Sequence, residues 1–138
     1  MKTIYFAAAL FSGRETVFNS ILTEMFEDEG YKVLLPQRDG FEFSKLCESL
    51  QIHLPAQNAA VALQTIIYLL DIGKFVYESD VVVANLDEPV DEGVVVEQVY
   101  ARCMGVPVIS FRTDVRSPYG SLGDPLKIVI LGTMRSIC

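Results

Sequence analysis

Residues 1–15, MKTIYFAAALFSGRE, admit two readings, and the choice between them decides the fold. Lys2, the apolar run behind it and Ala7-Ala8-Ala9 have the order of a short secretory signal, with a basic start, an apolar middle and small residues for cleavage. Thr3 to Ala9 is equally a buried first strand. The residues just downstream discriminate between the two. Ser12 and Glu15 stand at capping-box spacing, at which each side chain satisfies a free backbone N–H of a helix start, so a helix begins near Gly13. Val17, Phe18, Ile21, Leu22, Met25 and Phe26 then recur at helical spacing, and Gly30 supplies a left-handed stop. Such a stripe needs a sheet to lie on. Cleavage after the alanines would delete the central strand, so the stretch reads as strand, turn and capped helix.

The same alternation runs on. Tyr31 to Leu35 reads as a second strand halted by Pro36, and Phe43, Leu46, Cys47 and Leu50 mark a short amphipathic helix, followed by a loop from Ile52 to Pro55. Asn58 to about Glu78 is a long helix with apolar residues nearly all round, which means burial on more than one side and predicts a subunit interface on the second. Val81 to Leu86 is a third strand, Glu92 to Met104 a helix and Pro107 to Phe111 a fourth strand. Strand–helix alternation implies an α/β domain over residues 1–138, built on an open parallel sheet of about five strands with helices on both faces. Near the end two readings compete: Asp124 with Pro125 as a helix start, which is slightly preferred, and the β-branched Lys127 to Leu131 as a fifth strand.

Composition removes several function classes. A net charge of -7 argues against a phosphate-tracking surface, so no nucleic-acid partner is expected. Cys47, Cys103 and Cys138 are odd in number and widely spaced, which fits reduced thiols in the cytoplasm and neither a disulfide framework nor a zinc knuckle. No apolar run reaches the ~18–20 residues of a membrane span, the nearest being Ala59 to Leu70, interrupted by Gln64 and Thr65. No membrane association is expected. His53 is the only histidine, which leaves no basis for a histidine-dependent triad or a histidine-rich metal site, and no Gly-x-Gly-x-x-Gly follows the first strand. No metal and no cofactor are expected.

Open parallel sheets bind ligands at the carboxyl ends of their strands, here the loops after Ala9, Leu35, Leu86 and Phe111. The third of these crowds Asp87, Glu88, Asp91 and Glu92 before a helix. Crowded carboxylates repel and shift one another's pKa, although acidic residues are also favoured at any helix start. Glu97 fits the second explanation poorly. It follows three valines and lies a turn inside the helix, so the helix sets its direction.

Several blocks together resemble one family. They are Thr3-Ile4-Tyr5-Phe6 with Phe11-Ser12, Leu35-Pro36-Gln37-Arg38-Asp39-Gly40, Ser79 to Asp87, and the pattern Asp91-x-Gly93-x-x-x-Glu97 followed by Tyr100-Ala101. Over nearly the whole chain they look like the nucleoside 2-deoxyribosyltransferases. The resemblance implies a flavodoxin-like sheet, order 2-1-3-4-5, in a homodimer or higher homo-oligomer, acting on 2′-deoxynucleosides and free nucleobases. It implies Glu97 as nucleophile, Asp91 as the acidic partner acting on the base, and Tyr5 as the hydroxyl that orients the nucleophile. Phe11 matches an aromatic wall for the base, Gln37 and Asp39 a block that reads base edges, and Asp71 a sugar contact, although the run from Asp71 to Asp80 is one residue longer than is usual. Asp124 and Leu126 stand where a neighbouring subunit supplies an asparagine and a methionine, and Ala7-Ala8-Ala9 stands where many members have glycines. The family usually continues past the position of Cys138. The alternatives are a hydrolase of 2′-deoxynucleoside 5′-monophosphates using the same glutamate, with Ser12 and Arg14 at the phosphate, and a binding module.

Overall fold

The helix start expected at Gly13 forms because Ser12 and Glu15 close a complete capping box. Ser12 Oγ accepts from the Glu15 N–H at 3.3 Å, and the Glu15 carboxylate accepts from the N–H groups of Ser12 and Phe11 at 2.7 and 2.9 Å. In the computed structural model, residues 1–40 and 43–113 are described. They begin with strand β1, Thr3–Ala7, which the capping box joins to helix α1, Gly13–Asp28. Gly30 follows at φ 87, the left-handed conformation that costs glycine nothing and turns the chain into β2, Lys32–Leu34.

Pro36 stops that strand and starts a short helix α2, Pro36–Asp39, after which α3, Phe43–His53, packs on α4, Ala56–Leu70. The loop expected from Ile52 is shorter than its sequence suggests, because Ile52 and His53 complete the last turn of α3 and only Leu54 and Pro55 join the helices. Helix α4 runs without a break into a π-helical turn, Asp71–Val76. Then come β3, Val81–Asn85, α5, Glu92–Cys103, and β4, Val108–Phe111, with a cis bond between Glu88 and Pro89 in the loop before α5.

The strands are all parallel and lie in the order β2-β1-β3-β4. β1 is therefore interior, flanked by β2 and β3, as the strand reading of residues 3–9 requires. Its side chains alternate between two cores. Tyr5 and Ala7 join Val82, Ala84, Phe75, Val76, Val94 and Ala101 on one face. Ile4, Phe6 and Ala8 join Val33, Leu35 and Val83 on the other, where Leu22 and Phe26 of α1 cover them. Helices on both faces let β1 and β3 be apolar over most of their length, and full burial of Phe6 or Phe75 contributes roughly 1.5–3 kcal/mol. The fifth strand or helix expected over Asp124 to Leu131 lies outside the described residues.

The apolar set of α1, expected to form one stripe, is split between two faces. Phe18, Leu22 and Phe26 turn to the sheet beside the buried Asn19 and Thr23, whereas Val17, Ile21 and Met25 remain 60%, 54% and 59% exposed. The reason is geometric, since neighbouring residues on a helix stand about 100° apart and only one side of α1 can face the sheet. The long helix has its expected extent and reaches Glu78. The expectation that no run is long enough for a membrane span is corrected: the apolar run of Ala59 to Leu70 continues as helix through the π turn, and Ala56–Val76 makes 21 residues that by length and composition suffice to cross a membrane. Its last turn is nevertheless part of the protein interior. Ile72, Phe75 and Val76 are buried there, with the Phe75 ring 5.8 Å from that of Tyr5.

The capping box gives the first prediction. Replacing Ser12 by Ala should cost about 1 kcal/mol, the usual worth of such a cap, and lower the melting temperature by roughly 4 °C. A change under about 1 °C by calorimetry would mean that the box contributes nothing to stability.

Candidate active site

Strand β1 places Tyr5 on the face covered by α5, and α5 brings Glu97 to meet it. The Tyr5 hydroxyl donates to Glu97 Oε1 at 2.9 Å. The direction of Glu97 follows from the buried face of its helix. Val94, Gln98 and Ala101 turn inward, and Gln98 is tied down by Ser110 Oγ, which donates to its Oε1 at 2.6 Å. Glu97 lies between Val94 and Gln98 beside that face, where it is partly buried.

Burial governs the electrostatics. It pushes the Glu97 carboxyl up to about 8; the Tyr5 hydrogen bond opposes this, and the charges of Asp71 and Asp91 add to it. Burial likewise raises the Tyr5 phenol well above its ordinary value, with Glu97, Asp71 and Asp91 contributing. Asp71, the first residue of the π turn, is raised to about 6 by burial. Tyr5, Asp71, Asp91 and Glu97 are thus one coupled group drawn from β1, the π turn and α5.

Asp91 has a structural duty as well. It is the N-cap of α5, its Oδ1 accepting from the Val94 N–H at 2.9 Å. A Cβ on Gly93 would stand 2.9 Å from that oxygen, which gives the Asp91-x-Gly93 spacing a steric reason. Two other acids of the loop tie strand ends together. Asp87 Oδ2 accepts from Thr113 Oγ1 at 2.6 Å and Oδ1 from the Thr113 N–H, while Glu88 meets Arg112 at 3.4 Å. The sequence alone does not reveal this clamp between the loops after β3 and β4, because Asp87 is there one acid in a run.

The profile of the family described as Nucleoside 2-deoxyribosyltransferase matches residues 4–129, nearly the whole chain. The chain belongs to this family. Among solved structures, it is similar to a 2-deoxyribosyltransferase from the psychrotolerant bacterium Bacillus psychrosaccharolyticus, with a TM-score of 0.60 and 15% identity over 83% of this chain and 75% of that one. At that identity the likeness speaks for the flavodoxin-like fold. No curated protein matches the chain.

The remaining residues singled out for a deoxyribosyltransferase are placed unequally. Phe11 is 80% exposed in the loop after β1. Gln37 is committed to α1, its amide donating to Thr16 O at 2.8 Å and Ser20 Oγ at 3.1 Å and accepting from Asn19 at 3.1 Å. Asp39 accepts from the Leu35 N–H at 2.8 Å and pairs with Arg38. Both side chains hold the loop after β2 in shape. Asp124 and Leu126 lie outside the described residues.

The Tyr5–Glu97 bond yields the second prediction. A nucleophilic Glu97 would have to be ionised, so in that role kcat/KM should rise with pH through a midpoint near the carboxyl pKa of about 8. Tyr5→Phe removes a donor to the anion, moves that limb to higher pH and lowers kcat/KM at neutral pH by roughly 10- to 100-fold, the worth of a hydrogen bond to a charged group. Folding stability runs the opposite way. The folded state keeps a proton on Glu97 that the unfolded chain releases near 4.5, so stability is full below that pH and falls as pH rises towards about 8. Glu97→Gln should flatten that slope in denaturant titrations.

Proposed function

We propose that the protein exchanges the base of 2′-deoxynucleosides by two displacements through a glycosyl ester on Glu97. The observation that carries this reading is the Tyr5–Glu97 hydrogen bond inside a group of three carboxylates. Breaking an N-glycosidic bond develops positive charge at C1′, and a poorly solvated carboxylate is suited to stabilise and then trap it. The C1′–N bond breaks, the Glu97 Oε–C1′ bond forms, and the departing base takes a proton from Asp91. A second base then attacks C1′ from the opposite side and gives its proton to Asp91, the ester breaks, and the original anomer returns. No cofactor enters this sequence.

One feature of the loop after β1 favours nucleosides over their 5′-monophosphates. The N–H groups of Phe11 and Ser12 and the Ser12 hydroxyl, which would serve a phosphate, are taken by the Glu15 capping box. A phosphate arriving there would meet a carboxylate, with Arg14 as the neighbouring cation. Hydrolysis of monophosphates is the outcome this arrangement opposes. We further infer a homo-oligomer in the cytoplasm, serving nucleoside salvage. Val61, Tyr68 and Leu69 leave an exposed apolar face on α4 for a second copy, and Cys47 and Cys103 are free thiols.

Incubation of deoxyinosine with millimolar adenine should yield deoxyadenosine faster than free deoxyribose, with deoxyinosine monophosphate the poorer donor. Glu97→Gln should remove turnover by several orders of magnitude, since an amide cannot form the ester. Mass spectrometry with a slow 2-fluoro-deoxynucleoside should locate the sugar on Glu97. Monophosphate preference without a new nucleoside would replace transfer by hydrolysis. Sedimentation should find at least a dimer at micromolar concentration, and a fully active monomer would remove the α4 interface.

A further inference from the structure

Most of α4 is exposed and packs chiefly on α3, but its continuation through Asp71–Val76 is anchored. Ile72, Phe75 and Val76 are buried in the core beneath β1 and β3, and the Phe75 ring lies against Tyr5. Between this anchor and the exposed helix the chain adopts a π-helical turn, the i→i+5 form that fits one residue more than an α-helical turn and is common at functional sites. Asp71 opens the turn. Its half-buried carboxylate has no hydrogen-bond partner among the described residues, yet it lies close enough to Tyr5 and Glu97 to act on both. Burying an unpartnered carboxylate costs stability, and nothing among the described residues offsets that cost.

We propose that the π-helical turn Asp71–Val76 is a positioning device, which takes up one extra residue between the anchored Phe75 and the register of α4 and so turns Asp71 toward the Tyr5–Glu97 pair. Asp71 has then two functions: it contacts substrate in the transfer reaction, and its charge sets the ionisation of Glu97. The groups facing Glu97 are Tyr5 from β1, Asp71 from the π turn and Asp91 from the start of α5. Of these only Asp71 depends on the turn for its direction. Gly73 sits in open space, where a Cβ meets nothing, so the turn can be given a side chain there without losing a packing contact.

The test is deletion of Gly73. With Phe75 and Val76 held in the core, an α-helical register would rotate Asp71 by about 100° away from Glu97. Carboxyl ¹³C NMR should then show the Glu97 midpoint below its wild-type position, Asp71→Asn should move it the same way, and the two changes together should move it no further. Base exchange should lose about 100-fold in kcat/KM, the scale of a misplaced group. Gly73→Ala keeps the length and should leave both readings within about twofold, as surface substitutions usually do. Should the deletion fail to fold, the length-neutral pair Leu70→Asp with Asp71→Leu moves the carboxylate one position round the helix, and the same shift and loss are expected. Wild-type titration and rate in the folded deletion variant, or in that pair, would overturn the proposal, as would equal damage from Gly73→Ala. The rate arm rests on the transfer reading of Glu97. Absence of any base exchange by the wild type would end that reading alone, and the titration would still decide the turn.

Discussion

The hydrogen bond between Tyr5 and Glu97 fixes what the rest of the molecule must do. A carboxylate shielded from water is unfavourable, and this one is accompanied by Asp71 and Asp91, whose charges make it worse. The fold compensates with one donor, the Tyr5 hydroxyl, and that donor sits on the interior strand of the sheet, where it is least free to move. Neighbours on both sides hold β1, and Phe75 packs on the Tyr5 ring. Loss of the strand would therefore remove the core and the site together.

The two faces of the sheet divide the work. One face, under α1, is closed by Phe6, Phe26 and Phe111 and carries no group of the coupled site. The other bears α5 and the π turn, which supply the carboxylates to the carboxyl end of the strands. The loops crossing between the faces are held by short polar contacts: the capping box after β1, Gln37 and Asp39 after β2, and Asp87 with Thr113 after β3. The second face also holds the larger of the two cores, and that apolar burial offsets the cost of its charge cluster.

Much of this fold is legible in the sequence because the decisive signals are local. The box at Ser12 and Glu15, the stop at Gly30 and the cap at Asp91 each act within a few residues, and the strands are apolar runs bounded by them. Glu97 stands out because no capping duty explains it. Less legible are features set by tertiary contact. Val17, Ile21 and Met25 have the same chemistry as Leu22 and Phe26, and only the width of the sheet surface decides which of them it covers. Gln37 and Asp39 sit in a block resembling a base-reading segment, but their partners on α1 and on Leu35 are invisible in a linear string. The resemblance implies one extra residue between Asp71 and Asp80. On our proposal a π turn absorbs it, which depends on the anchoring of Phe75 and Val76 in the core, and no local signal discloses that anchoring.

A carboxyl pKa near 8 looks unhelpful for a nucleophile at neutral pH, but its cause makes it useful. Burial raises the pKa by withholding solvation from the anion, so the ionised Glu97 is more basic and less shielded than a carboxylate in water. In the proposed transfer the deficit would be relieved when positive charge appears at C1′, and relieved more as that charge grows. An interaction stronger in the transition state than in the ground state is what accelerates a reaction. Asp71 acts in the same sense, since its charge disfavours the isolated anion and is attracted by a developing cation. Tyr5 limits the effect. Its single hydrogen bond keeps the anion accessible within the working pH range, whereas further donors would solvate Glu97 as water does and return its pKa, and its reactivity, to those of an ordinary glutamate.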